Sequence, residues 1–285
     1  MRFLRHLEPF VNVVGTGRAV GNSTLVLGNI IERIYLVLGG TTFTKAMISA
    51  LRVKLNGKVT FGDISGTNLD LLQTYQLGNT GVGFLTLDFV EPDSKSMQGE
   101  LLGAIDTNAA GVNNFVVEAD IAGATAPSLD WWAQLRDVDS ISPANGFNPN
   151  LRPLLRALIS TTLTSTAAAE QQYSINAGSG GNSLIKRLVI YSTILTQLRV
   201  KRNSLDVYGG DPVNIALAAW MQADYGKHPQ ANMYVVDWLM DGNQSDTVVT
   251  RNPDGTLANF QWLLTASGAG TFTVYADVYS ILAGI

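Results

Sequence analysis

Two hydrophobic spacings run along this chain, and the period of two dominates. Val116, Glu118 and Asp120 alternate with Val117, Ala119 and Ile121, and Phe272, Val274, Ala276 and Val278 alternate with Thr273, Tyr275 and Asp277. Alternation with β-branched and aromatic residues enriched predicts strands with one buried face. Asn56-Gly57 between apolar runs predicts a two-residue hairpin turn, whose central positions need φ > 0; Asn203-Ser204 gives a weaker signal of the same kind. Helical spacing is confined to short stretches. Asp211 followed by Pro212 reads as an N-cap and first residue of a helix over 213–225. Thr67 or Asn68 would cap a matching helix over 69–77, and further short helices are predicted over 128–136 and 151–159.

The strand-like blocks recur. Residues 51–62 align with 198–209 at six of twelve identical positions, an offset of 147. Residues 31–36 resemble 185–190, 85–90 resemble 234–239, and 115–121 resemble 272–278, at offsets of 154, 149 and 157. Four blocks in the same order imply a duplicated unit. The segment around 124–150, with Pro127, Pro143, Gly146 and Pro149, has no partner and reads as a connection. The expected division is 1–126, a connector over 127–149, and 150–285. The class is all-β, as two sandwiches or barrels with few helices.

Composition narrows what such a protein does. Its 285 residues suffice for two domains at about 150 residues each. Charged residues are 15 % of the chain, against about 25 % in an average soluble protein. The aliphatic content excludes disorder, and a net charge of −4 argues against binding nucleic acid by bulk charge. Without cysteine there is no disulfide framework, thiol nucleophile or thiolate metal site. No apolar run approaches the ~18 residues of a membrane span, and the opening segment, with Glu8 and Pro9 breaking it, does not read as a signal peptide. The sequons at Asn22 and Asn243 therefore carry little weight.

Candidate chemistry is sparse. The glycines at 15, 17 and 21 lack the following helix that a dinucleotide fingerprint requires, and the run 178–183 lacks the lysine of a phosphate loop. The two histidines, His6 and His228, lie in unrelated contexts, too few for a histidine-rich metal centre and away from any nucleophile elbow. Asp88 and Asp237, like Asp120 and Asp277, fall at matching places in the repeat, which suits structural carboxylates better than a local catalytic pair. Asp241, Asn243 and Asp246 offer oxygens that a calcium ion could use, but without EF-hand spacing; a polar turn is the simpler reading. No catalytic, cofactor-binding or metal residue is assigned.

A family resemblance rests on the Met1-Arg2-Phe3-Leu4 start, Leu51-Arg52-Val53-Lys54-Leu55-Asn56-Gly57, Asp88-Phe89-Val90-Glu91-Pro92, Ala126-Pro127-Ser128 with Trp131, and Asp237-Trp238-Leu239-Met240-Asp241-Gly242. With these the chain resembles the double jelly-roll major capsid proteins of tailless, icosahedral, membrane-containing bacterial viruses, of the corticovirus type, in the lineage that includes tectiviruses and adenoviruses. The resemblance implies two tandem eight-stranded jelly rolls and no enzyme activity. It further implies a homotrimeric, pseudo-hexameric capsomer that tiles a shell around an internal membrane. The implied partners are other copies, penton and minor capsid or membrane proteins, with no direct nucleic-acid contact and no cofactor. The implied place is the virion, after assembly in the host cytoplasm. The loops look too short for tall towers. Phe3, Leu4, Leu7 and Phe10 beside Arg2 and Arg5 either pack under a jelly roll or lie at the shell base near lipid. The alternative from a different class is a secreted two-domain jelly-roll carbohydrate-binding protein or glycan hydrolase.

Overall fold

The computed structural model describes residues 1–78, 80–140, 147–178 and 183–285. Its first half holds β1 (Arg2–His6), β2 (Gly17–Asn22), β3 (Asn29–Thr42), β4 (Ile48–Leu55), β5 (Lys58–Ile64), α1 (Gly66–Leu77), β6 (Phe84–Asp88), α2 (Met97–Leu101), β7 (Ile105–Asp106), β8 (Phe115–Ile121) and β9 (Thr125–Asp137). The second half holds β10 (Leu154–Ser165), β11 (Glu170–Tyr173), β12 (Leu184–Tyr191), β13 (Leu195–Arg202), β14 (Leu205–Asn214), α3 (Ile215–Asp224), β15 (Met233–Asp237), β16 (Val248–Val249), β17 (Phe260–Ala266) and β18 (Gly270–Ile281).

The halves repeat strand for strand. In the first, β1-β9-β3-β6 form one sheet, with β7 beside β3, and β5-β4-β8-β2 the other. In the second, β10-β18-β12-β15 form one sheet, with β16 beside β12, and β14-β13-β17-β11 the other. Each half is thus a sandwich of eight principal strands, a jelly roll. The two rolls join where edge strand β5 meets edge strand β10 in parallel, at Phe61 and Leu158. Buried side chains from the inner faces form the core: Phe10 and Phe115 pack on Trp131 in the first roll, and Tyr173 on Phe272 in the second.

The hairpin turns fall where the sequence predicts them. Asn56 and Gly57 have φ of 51° and 80°, and Asn203 and Ser204 have 51° and 67°. The Asn56 carboxamide oxygen accepts from the amides of Asn113 and Asn114, and that of Asn203 from the amide of Asn259. Each asparagine therefore tolerates the left-handed backbone and ties its hairpin to the next strand.

Several expectations are corrected. Residues 128–136 form strand β9, not a helix, because Leu129, Trp131, Ala133 and Leu135 also fit a period of two and are buried against the core. β9 pairs along most of β3, so residues 127–137 of the supposed connector belong to the first roll. Residues 154–159 are strand β10, preceded by a 3-10 turn over Pro149–Leu151; their run of buried residues has no periodicity because both faces are covered. The helix expected from Asp211 starts at Ile215, since β14 continues to Asn214 as an edge strand, where proline is tolerated. Ser65, not Thr67 or Asn68, caps α1, accepting from the Asn68 amide at 3.2 Å. In the fourth repeat block, β8 occupies the place of β17 and β9 that of β18, so residues 115–121 are not the partners of 272–278. Alternating strands resemble one another whichever sheet they enter. Pro143, Gly146 and the glycine run at 179–182 lie outside the described residues.

Candidate functional site: the seam between the jelly rolls

A bulge in one strand builds the centre of the seam. The register of β12 on β18 shifts between Ile185 and Arg187, which turns the consecutive side chains of Lys186 and Arg187 to the outer face of the sheet. The first roll carries the same shift between Ile31 and Arg33, and there Glu32 and Arg33 share the outer face. Arg33 pairs with Asp88 across β3 and β6, as Arg187 pairs with Asp237 across β12 and β15.

The outer face of the second roll is covered by the first. Arg187 donates through Nη1 and Nη2 to Glu91 of the first roll at 2.8 and 2.7 Å, and through Nε to Asp237 at 2.8 Å. Arg156 makes a two-pronged pair with Asp277, at 2.8 and 2.7 Å, and donates to the Asp88 carbonyl at 2.8 Å. The Lys186 ammonium lies 3.0 Å from Glu91 and 4.6 Å from the centre of the Tyr279 ring. The Tyr75 hydroxyl, from α1, donates to Asp237 at 3.1 Å. Lys186, Arg187 and Asp277 are fully buried, and Arg156, Glu91 and Asp237 nearly so.

Three cations thus meet three carboxylates, all of them buried. Burial alone would raise the Glu91 carboxyl, but the charges of Arg187 and Lys186 outweigh it and hold the group well below the usual carboxylate range. Asp277 is lowered in the same way, burial being overcome by Arg156, Lys186 and Arg187. Burial and the charge of Arg156 lower Lys186. Burial raises Asp88 even against Arg33, and burial with the charge of Asp237 raises the Tyr75 phenol. Such a network adds little stability over a well-packed apolar core, but losing one member leaves a buried charge exposed to no partner. The charges saturate one another, so the chemistry available is a geometric lock between the rolls.

The other singled-out residues are scattered. His6 bonds Asp130 at 2.7 Å on the surface and packs on Trp132. His228 lies across the seam, its amide donating to the Tyr75 carbonyl. Asp88 and Asp237 do hold matching positions, as the sequence predicts, and both are buried ion-pair partners. Asp120 and Asp277 do not match: Asp120 bonds Arg18 and Arg52 near the surface, whereas the counterpart of Asp277 on β9 is Gln134. Gly17 opens strand β2, with no helix after it. In the 241–246 loop, Asp241 accepts from the Asn243 amide and lies 3.5 Å from Lys95, and Asn243 accepts from Ser245. Among the described residues no group of three or more His, Asp or Glu could hold a metal ion, and no helix is long and apolar enough to cross a membrane. Leu7 and Phe10 are buried in the first roll's own core, whereas Leu4 on β1 is exposed. The seam itself was not singled out from the sequence. Its signal was the Lys186-Arg187 pair inside an otherwise apolar strand, matched by Glu32-Arg33 in the other half.

Two family models cover this architecture. The viral coat protein P2 N-terminal domain matches residues 4–136, and the viral coat protein P2 C-terminal domain matches residues 155–282. The chain belongs to the viral coat protein P2 family. It is a structural protein of the virion capsid and not an enzyme, which sets aside the hydrolase alternative. Among solved structures this coat protein is similar to the major capsid protein P2 from bacteriophage PM2, with a TM-score of 0.82 and 17 % identity over 99 % of this chain and 98 % of that one. It is also similar to the STIV MCP, at a TM-score of 0.72 and 12 % identity over 99 % and 97 % of the two chains. The PBCV-1 virus capsid matches at 0.61 and 12 % identity, over 100 % and 95 %. At these identities the likenesses establish the double jelly-roll fold alone. No curated protein matches the coat protein by sequence.

Proposed function

We propose that the coat protein is the major capsid protein of its virus, that three copies close into a pseudo-hexameric capsomer, and that capsomers tile an icosahedral shell around an internal membrane. The supporting observation is the strand-for-strand repeat of the two rolls, locked by the buried charges of the seam. A ring of three such chains presents six similar sandwiches, the shape that hexagonal tiling requires. The closed point symmetry of most homo-oligomers favours a ring over an open chain of copies. Penton and minor capsid or membrane proteins are the expected further partners, assembly in the host cytoplasm the expected route, and lipid contact at the shell base an expectation carried by the family resemblance.

Light scattering on the purified chain tests the reading. A mass near three times 30.6 kDa, with hexagonal arrays or particles by electron microscopy, is expected. A stable monomer that binds glycan would overturn it.

A further inference from the structure

Helices α1 and α3 hold the same place in their rolls but are packed differently. Gln73 on α1 donates to the Thr86 carbonyl and Gln222 on α3 to the Val235 carbonyl, which aligns the two helices at an offset of 149. By that offset Gly66, Leu69 and Asp70 correspond to Ile215, Ala218 and Ala219. In the first roll Leu69 is buried, and the connection 43–47 between β3 and β4 lays a 3-10 turn, Lys45–Met47, against the helix. The Lys45 ammonium donates to Asp70 at 2.6 Å, and a Cβ on Gly66 would run into the Lys45 carbonyl.

The second roll has neither filler. Residues 192–194 alone connect β12 to β13, too few to fold such a turn, and Ile215 stands where the first roll needs Gly66. Ala218 leaves most of the Leu69 seat empty, and Ala219 offers no carboxylate to a lysine. What remains is a cavity of about 670 Å³ lined by Leu198, Tyr208, Ala218, Ala219, Met233 and Gln222, among others. Small-molecule sites measure about 300–1,000 Å³ and set a few placed polar groups in apolar walls. Gln222 is such a group. It is 5 % exposed, its Nε2 is spent on the Val235 carbonyl, and among the described residues no group donates to its Oε1. A buried acceptor without a donor costs free energy that a bound donor recovers. The cavity lies on the opposite stripe of α3 from the exposed Leu217, Trp220 and Asp224.

We propose that this cavity of the second roll binds a small apolar molecule with a single hydrogen-bond donor, of the class of alkyl and aromatic alcohols. Its hydroxyl donates to the Gln222 Oε1, and its hydrocarbon part takes the space that Leu69 and the Lys45–Met47 turn fill in the first roll. The first roll has no such site at α1, because its own chain occupies the space. The ligand is uncharged: none of the described residues that line the cavity is ionised, and an unpaired charge is costly to bury. The site belongs to a single chain and does not depend on the trimeric reading.

The probes are para-ethylphenol and ethylbenzene, alike in shape apart from the hydroxyl, titrated calorimetrically into the full natural chain. Para-ethylphenol is expected to bind once per chain and about fivefold more tightly than ethylbenzene, the worth of one neutral hydrogen bond. Ala218→Leu, which restores the leucine of the first roll, is expected to weaken para-ethylphenol by about tenfold or more. A second measurement needs no variant. Met233 is buried and lines the cavity, so with isotope-labelled methionine methyl groups its signal should shift on adding para-ethylphenol, while those of Met1, Met47 and Met97 stay in place. No binding, a shift of Met221 or Met240 in place of Met233, or unchanged affinity in Ala218→Leu overturns the site. Equal affinity for the two probes overturns Gln222 as its acceptor.

Discussion

Replacing Glu91 by glutamine tests whether the seam is a lock. Glu91 is the carboxylate that the first roll supplies to a pocket where Arg156, Lys186 and Arg187 face Asp237 and Asp277. With it, three positive charges meet three negative ones; Glu91→Gln leaves three against two at a buried site. Removing one member of a buried pair costs about 3–5 kcal/mol, a large share of the roughly 5–15 kcal/mol that holds a protein folded. At about 2–4 °C per kcal/mol for a large domain, the melting temperature should fall by about 6–20 °C. Calorimetry at fixed protein concentration, across a pH series, is the assay. Because the folded Glu91 carboxyl lies well below its usual value of 4.5, its stabilisation is complete above that pH and is lost as pH falls through the folded value. The variant should therefore also show a shallower loss of stability in acid. Replacing Glu91 and Arg187 together by leucine and methionine restores a two-against-two balance and should recover most of the loss. A Glu91→Gln change under about 1 kcal/mol, or no recovery in the double variant, would refute the idea that charge balance governs this seam.

Other consequences are simpler to measure. Gly103 has φ of +107°, and a Cβ there would stand 2.6 Å from the Tyr279 ring and 3.0 Å from the Phe89 carbonyl oxygen; Gly103→Ala should cost at least about 1–3 kcal/mol in urea unfolding. Asn56→Ala should cost about 1–2 kcal/mol, losing two amide acceptor contacts and a residue suited to φ of 51°, while Asn56→Gly, which keeps the backbone freedom, should cost less. Treatment with EDTA should leave the melting temperature unchanged, because Asp241 and Asn243 already spend oxygens on Asn243 and Ser245; a fall restored by calcium would contradict this.

The duplication was legible because strands declare themselves locally: alternation at 115–121 and the Asn-Gly turn need only neighbouring residues. Which strand corresponds to which was less legible, and the pairing of 115–121 with 272–278 failed. Both stretches alternate and both contain Ala-Asp, yet β8 holds the place of β17 beside β4, whereas β18 holds the place of β9. The segment 128–136 failed for a related reason. Its apolar residues satisfy two periods at once, and only the long pairing of β9 with β3 decides between them. The seam was hidden most deeply. Asp237 and Asp277 read only as structural carboxylates, and nothing local says that Glu91, distant in sequence, reaches Arg187. A pair of adjacent charges within an apolar strand is the one local trace, since a bulge is what lets both leave the core together.

The two outer faces, equal in backbone, neutralise their charges by different routes, one with a carboxylate from the other roll and one within its own. On the second roll, Lys186 and Arg187 depend on Glu91 from the other roll. That dependence is met as soon as the chain folds. On the first roll, Glu32 is paired by Arg2 and Arg136 and bonded by Gln134, and Asp88 is paired by Arg33, all within the roll. Glu32 and Asp88 therefore find their partners without a group from the other roll, and neither is a buried ion left alone. What this face leaves uncovered includes the apolar Leu4, Trp132 and Phe84, beside Arg2 and the His6–Asp130 pair, and on the second roll Leu217 and Trp220 of α3 are exposed as well. Burying apolar surface gives an association that needs no charge from the partner. The carboxylate Asp277, replaced in the first roll by Gln134, marks the divergence: Asp277 is held by Arg156 and Lys186, whereas Gln134 is neutral and donates to the buried Glu32.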